Sequence, residues 1–157
     1  ITISHANPSY WHNAKRNKSN EILKLLASRG GILGLSLYPH HLKNNSNCTL
    51  DSFCKMIIDL IELIGIDHIG FGSDLCQDQP DSVVEWMRVG RWTKKIDYGE
   101  GSASNSGFPK MPSWFKGNRD WKNILNKLQE LGLKQEEIDK IQGLNWYNFL
   151  LKTKAFK

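Results

Sequence analysis

Long apolar runs are missing from this sequence. The longest, Met56 to Ile66, is interrupted by Asp59 and Glu62, and it falls well short of the ~20 residues that a bilayer-spanning helix needs. Cysteine is scarce as well: Cys48, Cys54 and Cys76 are too few and too oddly numbered for a disulfide framework, and none has the C-x-x-C spacing of a zinc knuckle. They read as ordinary thiols. Charge of one sign is not concentrated either. Lys and Arg number 21 against 16 Asp and Glu, a net charge of +5, but the cations fall in small groups at Lys15–Lys18, Lys94–Lys95 and Lys152–Lys157. That distribution favours generic solubility over a nucleic-acid partner. The opening Ile1-Thr2-Ile3-Ser4-His5 has no basic segment before it, so it does not read as a signal peptide. It reads as a strand entered partway through a protein.

What is present is a globular composition over 157 residues, 39% hydrophobic and 24% charged, which rules out disorder as the main state. Ile1 to Ser4 predicts a buried strand, and Ala6 to Lys18 a loop. Asn20 is placed to cap a helix carrying Ile22, Leu23, Leu25 and Leu26, stopped at Gly30. The apolar run Gly31 to Leu37 is too short for a helix and fits a strand buried on both faces, ended by Pro39. From Thr49 to Ile64, apolar residues recur at three-and-four spacing, with Asp51 in the first turn and Gly65 past the end. Ile66 to Ser73 predicts a third strand. After it the pattern dissolves from Leu75 to Arg119, a stretch rich in Gly, Ser, Pro and Trp. Two more helices follow, the first ended by Gly132 and the second spanning Lys134 to Leu151.

Strand, helix, strand, helix, strand with short connections is the pattern of parallel βαβ units. Three parallel strands cannot close a barrel, and an open sheet this small leaves apolar edges uncovered. The expectation is therefore an α/β fold forming the C-terminal portion of a larger βα protein, a (β/α)8 barrel of the TIM type. Residues 1–157 would be one portion of a single barrel domain with a long insertion at about 76–118. An insertion of that length is expected to cover or reshape a pocket, or to meet a partner.

His5 follows the first predicted strand and Asp74 the third, so parallel strands bring both to the C-terminal edge of the sheet, where such folds build their sites. A strand-end histidine suits a divalent metal, and a carboxylate ligates metal or carries a proton. Equally, such a histidine fits a hydrogen-bonded structural residue, and an Asp after Gly-Ser fits a helix cap. His12, His68 and the adjacent His40-His41 read as structural, with His40 as the alternative ligand.

Four segments in order carry a resemblance: SHANPSYWHNAKRN, LLASRGGILGLSL, TLDSFCKMIIDLIELIGIDHIGFGSD and IDKIQGLNWYNFL. They resemble the C-terminal half of the membrane (renal) dipeptidase family, the M19 metallopeptidases. The resemblance covers most of the chain outside residues 76–118. It implies a (β/α)8 barrel holding two bridged divalent metals, usually zinc, that activate water to hydrolyse dipeptides. The last metal-binding histidine of that family is matched by His5 in Ser4-His5. The arginine that receives the substrate's free carboxylate is matched by Arg16, and the catalytic aspartate by Asp74 in Gly70-Phe71-Gly72-Ser73-Asp74. Dimers are common among proteins of this kind.

The implied roles are physically coherent. A carboxylate near an activated water can move its proton to the leaving amine. Arginine's planar fork meets a carboxylate with two parallel hydrogen bonds and so measures the length of a dipeptide. Two departures stand out: Leu75-Cys76-Gln77 replaces the family's usual Phe-Asp-Gly, and the family's H-x-D pair, bridging glutamate and other histidine have no counterpart here. The chain alone is thus expected to be inactive. The competing expectation is a degenerate relative that binds or matures a modified peptide. A basic RNA-binding module, the third possibility, predicts steep salt dependence.

Overall fold

The computed structural model describes residues 1–76, 78–88 and 107–153. Three parallel strands, β1 (Thr2–Ala6), β2 (Ile32–Leu35) and β3 (Ile69–Phe71), form one sheet in the order β1-β2-β3. The crossovers contain α1 (Asn20–Ser28) and α2 (Leu50–Ile64). After β3 come the short α3 (Ser82–Arg88), then α4 (Trp121–Glu130), α5 (Gln135–Asp139) and α6 (Asn145–Lys152). Among the described residues no helix is long and apolar enough to cross a membrane.

The strongest local signals produce the elements they predict. Thr49 caps α2 by accepting a hydrogen bond from the Ser52 amide at 3.2 Å, and Gly65 ends it at φ +84°. A left-handed backbone there excludes most side chains. α2 buries Phe53, Ile57 and Leu60 completely against Leu23, Leu33, Leu35, Ile124 and Leu128. β2 is buried along its whole length, as a central parallel strand must be.

Other expectations change. β1 is an edge strand, exposed at Thr2 and Ser4, with no further strand beyond it among the described residues. It also runs on to Ala6, so His5 lies within the strand. Ser19, not Asn20, precedes the first turn of α1. Ile66–His68 forms a 3-10 turn, and β3 is correspondingly short. The last helix is divided by a wide π turn at Lys140–Leu144. Just after it the Asn145 side-chain Nδ2 donates to the carbonyls of Ile66 (2.7 Å) and Ile69 (2.8 Å), and the Trp146 indole donates to the Phe71 carbonyl (3.0 Å). α3 lies within the stretch that carried no periodic pattern.

The end of that stretch is part of the core. Phe115 is completely buried, stacked edge-on to Trp121 at 4.8 Å, while Trp121 packs on Phe71 at 4.7 Å. Trp114 rests on Phe53 at 5.4 Å and donates its indole N–H to the Cys48 carbonyl at 2.7 Å. Trp114 thus has a packing role. Asp97, Tyr98 and Glu100, residues of the insertion that suit substrate contacts, lie outside the described residues.

Candidate functional site

The register of the sheet creates the first site residue. Ile3 faces Leu33 and Ala6 faces Leu35, so Ser4 and His5 together face the single residue Gly34. Two residues against one is a β-bulge, which bends the strand and re-aims its side chains. His5 emerges from this bulge with its Nδ1 hydrogen-bonded to Ser4 Oγ at 2.9 Å. Its Nε2 points toward Asp74, 3.9 Å from Oδ2.

Asp74 arrives from the other edge. The ladder continues past β3, with the Gly72 amide donating to Leu35 at 3.0 Å and the Leu37 amide to Ser73 at 3.1 Å. Asp74 follows at φ +55°, a left-handed conformation that non-glycine residues hold mostly where the surroundings impose it. Both side chains remain partly open to solvent, His5 at 29% and Asp74 at 35%. They therefore share the C-terminal edge of the parallel sheet.

Beneath them lies a buried polar network. Asn7 donates to the carbonyls of Ser36 (3.0 Å) and His41 (3.1 Å) and accepts from the Ser36 amide (3.1 Å). Asn17 donates to the His12 carbonyl (2.8 Å) and the His41 carbonyl (3.0 Å). Ser36 Oγ is bonded to His41 Nδ1 at 2.7 Å. The result fixes His41 with its ring stacked on His5 at 6.4 Å and 18°. Burial is the main reason its pKa falls to about 4, and the charges of Arg16 and His5 push the same way. His41 is consequently a neutral imidazole at pH 7.

His40, the alternative ligand expected from the sequence, packs edge-on to Tyr38 at 5.8 Å, and His41 is the histidine against His5. The usable signal was Ser36: a polar residue in an apolar buried strand demands a partner. Arg16 stands exposed in the turn between β1 and α1, on the side from which its charge reaches His41. His68 is structural as expected, its Nδ1 bonded to the Gly31 carbonyl at 2.8 Å, at the opposite end of β2.

A cleft of about 260 Å³ opens beside Asp74, with Leu75, Phe108, Pro109, Met111 and Lys116 among its lining residues. The late part of the insertion thus forms one wall of a pocket at the site. For a metal, the donor chemistry fits in part. His5 has one nitrogen held and the other directed at a carboxylate, the orientation that supports a ligand histidine. Among the described residues no group of three or more His, Cys, Asp or Glu is placed to hold an ion, so further donors are required.

A parallel sheet with a histidine and a carboxylate meeting at its C-terminal edge defines a protein of the βα-layered class, in which that edge carries the chemistry. The sequence profile described as membrane dipeptidase (peptidase family M19) matches residues 1–95. The chain belongs to that family. An amidohydrolase from Pseudomonas aeruginosa superposes with a TM-score of 0.81 at 25% identity, over 96% of this chain and 44% of its own. A metallo peptidase from Rhodobacter sphaeroides, liganded with a phosphinate mimic of the dipeptide L-Ala-D-Ala, shares the fold at a TM-score of 0.71 and 17% identity, over 97% of this chain and 36% of its own. An uncharacterized dipeptidase of Schizosaccharomyces pombe is 25% identical over 76 residues, 47% of this chain and 18% of its own. The chain spans less than half the length of each of these relatives.

Proposed function

We propose that this chain supplies the C-terminal part of a (β/α)8 barrel that hydrolyses dipeptides with two bound divalent metals, zinc in the first instance. The observation that carries the reading is the convergence of His5 and Asp74 at 3.9 Å in a chain that belongs to the M19 family. His5 would hold metal through Nε2, with Ser4 Oγ and the His41 ring fixing its orientation. The metals would supply Lewis acidity at neutral pH. Asp74 takes a proton from the attacking water and returns it to the leaving amine. Arg16 binds the free carboxylate of the substrate.

The remaining metal donors are assigned to a layer that covers β1 and α1. An apolar groove of about 340 Å³ runs along them, lined by Ile1, Ile3, Ile22, Leu25 and Leu26. Leu25 is 57% exposed and Ile22 48%, so this face loses free energy to water until another βα unit packs on it.

The test has two parts. Upstream coding sequence should contain an H-x-D pair and a glutamate at strand ends, and the zinc-loaded protein bearing them should release free amino acids from a panel of dipeptides, with a chelator abolishing release. Absence of release from a folded, metal-replete protein overturns the reading.

A further inference from the structure

We propose that Gly34 and Gly72 are positioning residues: they form a slot that seats the Ser4 carbonyl and so aims His5 at Asp74. This rests on the reading of His5 and Asp74 as site residues and adds to it the device that brings them together. The bulge places one extra residue in β1, and the carbonyl of that residue has to leave the ladder. The Ser4 carbonyl turns onto the face of the sheet and lies against both glycines. A β carbon built on Gly34 or on Gly72 meets the Ser4 oxygen first, far inside contact distance. Neither glycine has positive φ, unlike Gly30, Gly65 and Gly132. Their requirement is space, and conformational freedom is not involved.

The slot is rigid. Gly34 belongs to the buried β2, and Gly72 is held by the hydrogen bond from its backbone N–H to the Leu35 carbonyl at 3.0 Å, so an added methyl cannot move away. The Ser4 carbonyl must yield, and the peptide that moves is the one joining Ser4 to His5. Flattening the bulge shifts the register of β1, and a one-residue shift turns side chains to the opposite face. His5 then leaves both the Asp74 carboxylate and the His41 ring.

Gly34→Ala and Gly72→Ala test this in the full chain, with Gly143→Ala as control, since nothing lies within 4 Å of a β carbon at Gly143. Nuclear Overhauser contacts between the His5 and His41 rings report the aim of His5. The Trp146 indole N–H, bonded to Phe71, reports the integrity of the sheet. Both test variants are expected to lose the ring contacts and keep the indole signal, while the control keeps both. Retention of the ring contacts in both test variants overturns the proposal. A second comparison covers variants that unfold. In a chain from which Ser4 is deleted, no bulge carbonyl fills the slot, and the same alanines should shift the urea midpoint far less than in the parent. Equal shifts in the two backgrounds overturn the proposal. Neither measurement needs metal or substrate, so failure of the dipeptidase reading leaves both results interpretable.

Discussion

His5 Nε2 and Asp74 Oδ2 stand 3.9 Å apart at the C-terminal edge of the sheet, one delivered by an edge-strand bulge and the other by a left-handed residue beyond the opposite strand. The separation is too long for a hydrogen bond. The two groups therefore face one another across shared space without a direct hydrogen bond.

In the metal-replete protein, Asp74→Asn should lower kcat by roughly 10²–10⁴-fold, the range for loss of general acid-base catalysis. Metal content, measured by atomic absorption, should change little. Near-normal turnover would show that Asp74 does not carry the proton.

Arg16→Lys keeps the charge and loses the two-point fork. The kcat/KM for free dipeptides should fall about 10- to 150-fold, equivalent to roughly 1.5–3 kcal/mol for a charge-assisted hydrogen bond. C-terminal dipeptide amides should show little further loss. Equal losses on acid and amide would make Arg16 a residue that merely supports its turn.

The cysteines should differ sharply in reactivity. Burial pushes the thiols of Cys48 and Cys54 up to about 12, so at pH 8 only about one in 10⁴ of each is thiolate, the reactive form. Cys76 is exposed, and its upward shift, from partial burial and then Asp74, is smaller. Iodoacetamide under native conditions should modify Cys76 alone, as read by peptide mass spectrometry. Native labelling at Cys54 would contradict its packing beneath α4.

Asn145→Ala removes two hydrogen bonds from the junction of α6 with β3. Leaving the buried carbonyl of Ile69 without its donor costs about 1–3 kcal/mol. The expected result is a lower urea midpoint with an unchanged m-value. No shift would mean that the Trp146 indole alone holds the junction.

The parts legible in the sequence are those whose causes are local. Thr49, Asp51, Gly65 and the three-and-four spacing specify α2 because capping, helix dipole and apolar periodicity all act within a few residues. The buried strand at Ile32–Leu35 follows from an apolar run too short for a helix, and the order of elements already implies parallel βαβ units. Strand ends and a family resemblance single out His5, Asp74 and Arg16 as candidates in the sequence. The bulge was not, because it depends on how β1 registers against β2, and pairing is a contact between distant segments. His41 looked like one of two adjacent loop histidines until Asn7, Asn17 and Ser36 fixed it against His5. The π turn before Asn145 likewise answers to carbonyls of Ile66 and Ile69 far away in sequence. Local propensity sets which elements form; the geometry of the site depends on long-range registers and hydrogen bonds, which exist only once the sheet and its helices have packed.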